Sequence, residues 1–245
     1  MPGRGTDLLD RLAEHELERH GIPPVPPIHI EGLAGCLGVD AIRRADLVED
    51  GRLEQCSDRT VIVLRSGQSR PRSRFTVAHE LAHLMLRTPS VSDYLLASAR
   101  SGFTSEERFC DALAASLLMP RSWILEHYGS SGQTLPAAHR LAAECQTSLS
   151  ASVIRLREVV GWRTSLLRWR RANGNWRFVS AVGVPPRLRG RIANAPPTAG
   201  VLEACMRETR GSAPWSLPLR LNGVERSMPA QIGVRGASAA ALITF

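Results

Sequence analysis

His79, Glu80 and His83 form an HExxH arrangement inside the run FTVAHELAHLML, Phe75 to Leu86. On a helix, two histidines four residues apart stand one turn above the other on a single face, so both imidazoles can reach one metal ion. Glu80 lies one residue past the first histidine. Its carboxylate can approach a water on that metal without being a ligand, a geometry suited to hydrolysis. With seven histidines in 245 residues, the pattern is expected by chance only about 0.012 times. Phe75, Val77, Ala78, Leu81, Ala82, Leu84, Met85 and Leu86 are apolar, which predicts a helix buried nearly all round. Buried imidazoles and a buried carboxylate need partners, and a metal supplies them.

Two histidines leave a catalytic zinc site one protein ligand short. The run SEERFCDALAASLLMP, Ser105 to Pro120, predicts a second buried helix with Phe109, Leu113, Leu117 and Leu118 inward and Pro120 at its end. It offers Glu106, Glu107 and Asp111, whereas the downstream His127 and His139 do not complete an HExxHxxGxxH spacing. Glu107 and Asp111 share a face, so one can bind the ion while the other accepts the N–H of a ligand histidine. Thr104-x-x-Glu107 also reads as a capping box, and spacing alone leaves both Glu107 and Glu106 open as the third ligand. Asp111 lies deeper in the apolar helix, and its expected burial favours the supporting role. An oxyanion donor is also needed, and Tyr94, Tyr128 and His127 are the candidates.

Other elements must hold these two helices in register. A helix is expected over residues 7–20, ending at Gly21, and another from about Ile30 to Leu37, closing at Gly38. A Pro-rich linker, Ile22 to Pro27, separates them. Charged, turn-rich sequence follows from Arg43 to Arg59. TVIVL, Thr60 to Leu64, predicts a strand that could hold a substrate backbone by β-addition. Pro136 to Trp162 reads as two helices around a polar turn at Gln146 to Ser150, with Arg155 and Arg157 on the second, in the manner of a helix-turn-helix. Beyond residue 164, short alternating runs at Leu166 to Trp169, Trp176 to Val182 and Ala239 to Phe245 predict strands. Asn173-Gly174 signals a hairpin, and one helix is expected near Val201 to Thr209.

An apolar content of 43% and a charged content of 22% are those of an ordinary soluble globular protein, and the mix of helical and strand patterns predicts an α+β fold. All 31 basic residues are arginine. The net charge of +8 is uneven: residues 1–160 carry 18 Arg against 20 acids, and residues 161–245 carry 13 Arg against 3 acids. Basicity confined to the C-terminal third suits an anionic partner, nucleic acid included, although a solvated face in an arginine-rich chain is at least as simple an account. Five cysteines without a C-x-x-C pair argue against a disulfide framework. With no apolar run of signal-peptide or membrane-span length, a cytoplasmic location is expected.

The runs RFTVAHELAHLML (Arg74 to Leu86) and ERFCDALAASLLMP (Glu107 to Pro120), with the preceding IHIEGLAGCLGV and TVIVL, resemble the ImmA/IrrE family of zinc metallo-endopeptidases over about residues 28–160. The resemblance implies a zincin-like domain in which His79, His83 and Glu107 hold Zn²⁺, with Mn²⁺ as an alternative in the cell. Glu80 would be the general base and Asp111 the residue behind a ligand histidine. Cys110-Asp111 stands where the family usually has Ala-Asn, and Leu113 where it has Phe. Four segments are then expected: residues 1–27, an N-terminal helix and linker; 28–130, a mainly helical peptidase domain with a small sheet; 131–163, a helical, helix-turn-helix-like segment; and 164–245, a smaller basic β-rich or α/β domain for sensing or docking, GAF-like in some relatives.

The implied role is intracellular cleavage of a protein partner, a helix-turn-helix transcriptional repressor, in stress response or mobile-element regulation. Two other readings compete: a DNA-binding regulator with a structural zinc site, and a pseudo-peptidase that binds without cutting. Glu80 separates them, because a structural site has no use for a free carboxylate beside the ion.

Overall fold

The computed structural model describes residues 4–56, 58–88, 91, 105–188, 192–194, 198–207 and 215–244. It is a mixed α+β structure whose internal contacts divide it into two units, residues 1–130 with 140–160, and residues 131–139 with 161–245.

The first unit is mainly helical. Helix α1 (Arg4–Arg19) buries Leu9, Leu12, Ala13 and Leu17 at helical spacing and turns off at Gly21, whose φ of 69° suits glycine. After α2 (Ile30–Cys36), strands β1 (Ala41–Ala45), β2 (Gly51–Cys56) and β3 (Arg59–Arg65) form a three-stranded sheet in the order β1-β3-β2. Helix α3 (Arg70–Met85) carries HELAH and packs against α4 (Glu106–Leu118), the sheet and α2, while α1 packs on α4. Helix α5 (Arg121–Tyr128) follows. Then come α6 (Leu135–Glu144), whose residues 135–139 belong to the second unit, and α7 (Leu149–Val159), joined by a turn in which Gln146 adopts φ 53°.

Two expectations change here. The charged stretch read as turns, Arg43 to Arg59, contains β2 and most of β1, because cross-strand pairing to the apolar β3 overrides weak local propensity. TVIVL is therefore the central strand, parallel to β1 and antiparallel to β2, and has no free edge for β-addition. The sheet's edges are β1 and β2. Arg65 N–H donates to the Asp50 carbonyl, so the alternating ladder turns the backbone groups of Gly51, Leu53 and Gln55 away from β3.

Three helices of this unit are tied by a buried ion pair. Arg155 Nη2 of α7 donates to Asp10 Oδ1 of α1 at 2.5 Å, and Ser116 Oγ of α4 donates to the same oxygen at 2.7 Å. Arg155 Nε also donates to the Met119 carbonyl at 3.0 Å. Arg155, the arginine expected to serve a DNA-reading helix, is thus only 1% exposed and committed to the interior.

The second unit is β-rich. Strands β4 (Ser165–Ala172), β5 (Asn175–Val182), β6 (Ile192–Asn194), β7 (Trp215–Leu221), β8 (Val224–Arg235) and β9 (Ser238–Ile243) form an antiparallel sheet in the order β5-β4-β9-β8-β7-β6. Asn173-Gly174 and Asn222-Gly223 take positive φ at both central positions of their hairpins, as two-residue turns require. Helix α8 (Thr198–Arg207) covers one face, burying Leu202 among Trp169, Trp176, Leu217, Leu219 and Ile232. Among the described residues, no helix is long and apolar enough to cross a membrane.

Candidate metal centre

His79 and His83 stand one turn apart on α3 with their Nε2 atoms 3.1 Å from each other. The carboxylate of Glu107, in the first turn of α4, spans them. Its two oxygens lie 3.3 Å from His79 Nε2 and 3.4 Å from His83 Nε2. Each ring is held from behind by a different acid: Asp111 Oδ1 at 3.0 Å from His79 Nδ1, and Glu106 Oε1 at 2.9 Å from His83 Nδ1. Ionised carboxylates only accept, so each Nδ1 carries its proton and each Nε2 presents a lone pair. Two lone pairs and two carboxylate oxygens facing one another suit a shared cation. His79, His83 and Glu107 donors all lie within 4.8 Å of one another, and this N, N, O set fits a divalent metal.

The local sequence explains the arrangement. Helix α3 buries Val77, Ala78, Leu81, Ala82 and Met85, so the histidines are fixed by a helix that cannot rotate. The N-cap of α4 is Ser105, which accepts from Arg108 N–H. This places Glu106 and Glu107 at the first two helical positions, where acids suit the helix dipole. Thr104 and Tyr94, both singled out in the sequence, lie outside the described residues. Asp111 differs from expectation: its side chain is 59% exposed, because it sits on the outer face of α4 beside the histidine. Glu106, weighed only as a ligand from spacing, instead backs His83 as Asp111 backs His79. An acid on each side of Glu107 was the signal that could have shown this.

Glu80 is 8% exposed. Burial raises its proton affinity above the usual carboxylate range, Glu107 adding to the rise and the two histidines and the backbone of Leu53 opposing it. The Asp111 hydrogen bond raises the proton affinity of His79, against the effect of burial. Cys110 Sγ lies within 4.8 Å of His83 and Glu106 donors, but it is fully buried and its thiol is pushed up to about 12, chiefly by burial. It is therefore a protonated, space-filling side chain at neutral pH.

A cleft of about 580 Å³ opens onto the site, lined by Gly51, Arg52 and Leu53 of β2, by His79, Glu80 and His83, and by Leu86, Arg87, Glu106 and Glu107. A smaller one of about 280 Å³ adjoins it and is lined by Asp50, Gly51, Arg72, Phe75, Thr76, His79, Glu80, Glu107 and Asp111. Gly51 is required here. A Cβ at this position would stand 2.4 Å from Thr76 Cγ2, so the lack of a side chain lets β2 approach α3. Neither His127 nor Tyr128 lines these clefts. His127 Nδ1 donates to the Trp123 carbonyl, and Tyr128 is buried with its hydroxyl donating to Glu144. Both are thereby removed as oxyanion donors. His139 lies in the other unit.

A family model described as IrrE N-terminal-like domain, Peptidase_M78, matches residues 34–157, which include all six site residues on α3 and α4. Among curated proteins, the chain is similar to the radiation response metalloprotease IrrE of Deinococcus radiodurans, with 31% identity over 132 residues. That match spans 51% of this chain and 39% of the relative's length. Among solved structures, a Mycobacterium tuberculosis transcriptional regulator is similar with a TM-score of 0.55 at 13% identity, over 100% of this chain and 81% of that one, a likeness of fold.

Proposed function

The chain belongs to the ImmA/IrrE family, Peptidase_M78, and from that premise we propose that it is a zinc-dependent endopeptidase that cleaves a protein partner in the cytoplasm. The partner we infer is a helix-turn-helix transcriptional repressor in a stress or mobile-element response. The observation that carries the reading is the pairing of a three-donor set, His79, His83 and Glu107, with a buried carboxylate, Glu80, that donates nothing to that set.

A divalent ion held by those three residues supplies Lewis-acid polarisation of a water and of the scissile carbonyl. The chain's own residues do the rest. Glu80, its proton affinity raised by burial, takes the proton of the attacking water and returns it to the departing amine. Asp111 and Glu106 fix the ring tautomers so that both Nε2 lone pairs face inward. The outward backbone groups of β2 receive the substrate as an added strand. Arg87, which lines the larger cleft and donates to the neutral Gln55, takes over the role of charge-stabilising donor for which Tyr128 and His127 are misplaced, whereas Arg52 in the same cleft is paired with Glu49 and Glu54.

Incubation with zinc and a repressor encoded beside this chain tests the reading, with Glu80→Gln as control. Wild type should cut and the variant should lose about 10²–10⁴-fold in rate while retaining its metal. Full cleavage by the variant would overturn the role of Glu80.

A further inference from the structure

The peptidase site leaves the basic C-terminal third without a use. Strand register shows where part of that charge is gathered. Arg177 of β5 lies directly across from Arg170 of β4, Arg170 across from Ser238 of β9, and Ser238 across from Arg235 of β8. Their neighbours in sequence, Trp176, Trp169, Ala239 and Val234, turn to the α8 side and join its core. The row Arg177, Arg170, Ser238, Arg235 therefore occupies the opposite face, and all four residues are exposed. With strands ~4.8 Å apart, it runs roughly 14 Å across four strands.

We propose that the exposed end of this sheet face, beyond the part that Gln133 and Leu135 cover at Gln231 and Gly233, docks on the sugar-phosphate backbone of duplex DNA, through Arg170, Arg177 and Arg235. Like charges directly opposite on a sheet oppose folding, and Arg170 with Arg177 is such a pair. Of the three acids beyond residue 160, Glu203 is turned to the α8 side, where it pairs with Arg171 and accepts from Trp176. Glu225 stands opposite Arg220, away from the row, and Glu208 lies outside the described residues. Among the described residues the row thus has no carboxylate partner, and phosphates are the groups that would relieve it. Trp169, Trp176 and Phe178 all face α8, so the described residues of β4, β5, β8 and β9 offer no ring on this face for stacking bases. The surface suits a paired backbone and lacks the platform that a single strand uses. The choice of DNA over duplex RNA rests on the proposed substrate, a repressor met on DNA; the docking itself is independent of catalysis.

Fluorescence anisotropy of the full chain with a short labelled DNA duplex tests this across a salt series. Three phosphate contacts predict a slope of about −2.7 in log affinity against log salt. Each of Arg170→Ala, Arg177→Ala and Arg235→Ala should shallow it by about one, and the triple variant should bind at least about tenfold more weakly with an unchanged thermal midpoint. Arg226→Ala, on the α8 side of β8 opposite Leu219, should bind as wild type, and so should Glu80→Gln. The proposal is overturned by absence of binding at low salt, by an Arg226→Ala loss equal to that of the triple variant, or by tighter binding of single-stranded DNA or an RNA duplex. Failure of repressor cleavage with DNA binding intact would count against the peptidase reading alone.

Discussion

Glu80 on α3 and Leu53 on β2 line the same cleft, so the proposed base stands beside an edge strand of the three-stranded sheet. The proposed proton carrier and the strand proposed to receive the substrate thus share one wall of that cleft. Any change that shifts β2 relative to α3 should disturb both.

Gly51→Ala makes that change. Its Cβ meets Thr76 Cγ2 at 2.4 Å, and relief of such overpacking costs about 1–3 kcal/mol. A several-fold fall in peptidase rate is expected with metal content unchanged. Gly51→Ala combined with Thr76→Ser should recover part of the loss, as measured by cleavage rate and by denaturant midpoint.

Asp111→Ala and Glu106→Ala each free one Nδ1 and allow the wrong tautomer. Loss of such a supporting carboxylate weakens metal affinity by about 10–100-fold. Competition against a chelating dye should show the loss in both variants. Saturating metal should restore more activity to Glu106→Ala than to Glu107→Ala, which removes a donor.

Asp50 gives a pH signature. Its carboxyl is held below the usual range, first by its hydrogen bond to Arg72, with Gln68 and Arg65 assisting. A carboxyl whose folded value is depressed stabilises the fold above its unfolded value, about 4, and that contribution is lost as pH falls through the folded value. The thermal midpoint of Asp50→Asn should therefore lie below wild type near pH ~7 and converge with it on acidification toward pH ~2. A constant gap across that range would refute the assignment.

Arg155→Leu leaves Asp10, 2% exposed, without its main partner. Breaking a buried pair from one side costs about 3–5 kcal/mol. The double variant Asp10→Leu with Arg155→Leu should be less destabilised than the sum of the single changes, a coupling that chemical denaturation would measure.

The helical layout was legible because its signals are local. The apolar period of α1, the Gly38 stop after α2, HELAH, Pro120 and the Asn173-Gly174 turn each act within a few residues. β2 was not legible, since GRLEQC has little strand character and owes its form to pairing with β3, a contact outside any short window. β7 and β8 escaped for the same reason. At the site, the spacing of His79, Glu80 and His83 was plain in the sequence. What separates Glu106, Glu107 and Asp111 is which face of α4's first two turns meets each ring, a matter of helix packing. The exposure of Asp111 shows the limit well: an acid inside an apolar run is not buried when it falls on the outer stripe.

The donor set is divided unequally between its two helices. His79 and His83 project from the buried interior of α3, whereas Glu107 occupies the first turn of α4 with its side chain 70% exposed. Helix ends open far more often than helix interiors. An ion held there can be released by fraying of that one turn, with both imidazoles unmoved. With the proposed ligands, the lifetime of the loaded site should be set by α4's N-terminus, and weakening the Ser105 cap should speed metal exchange.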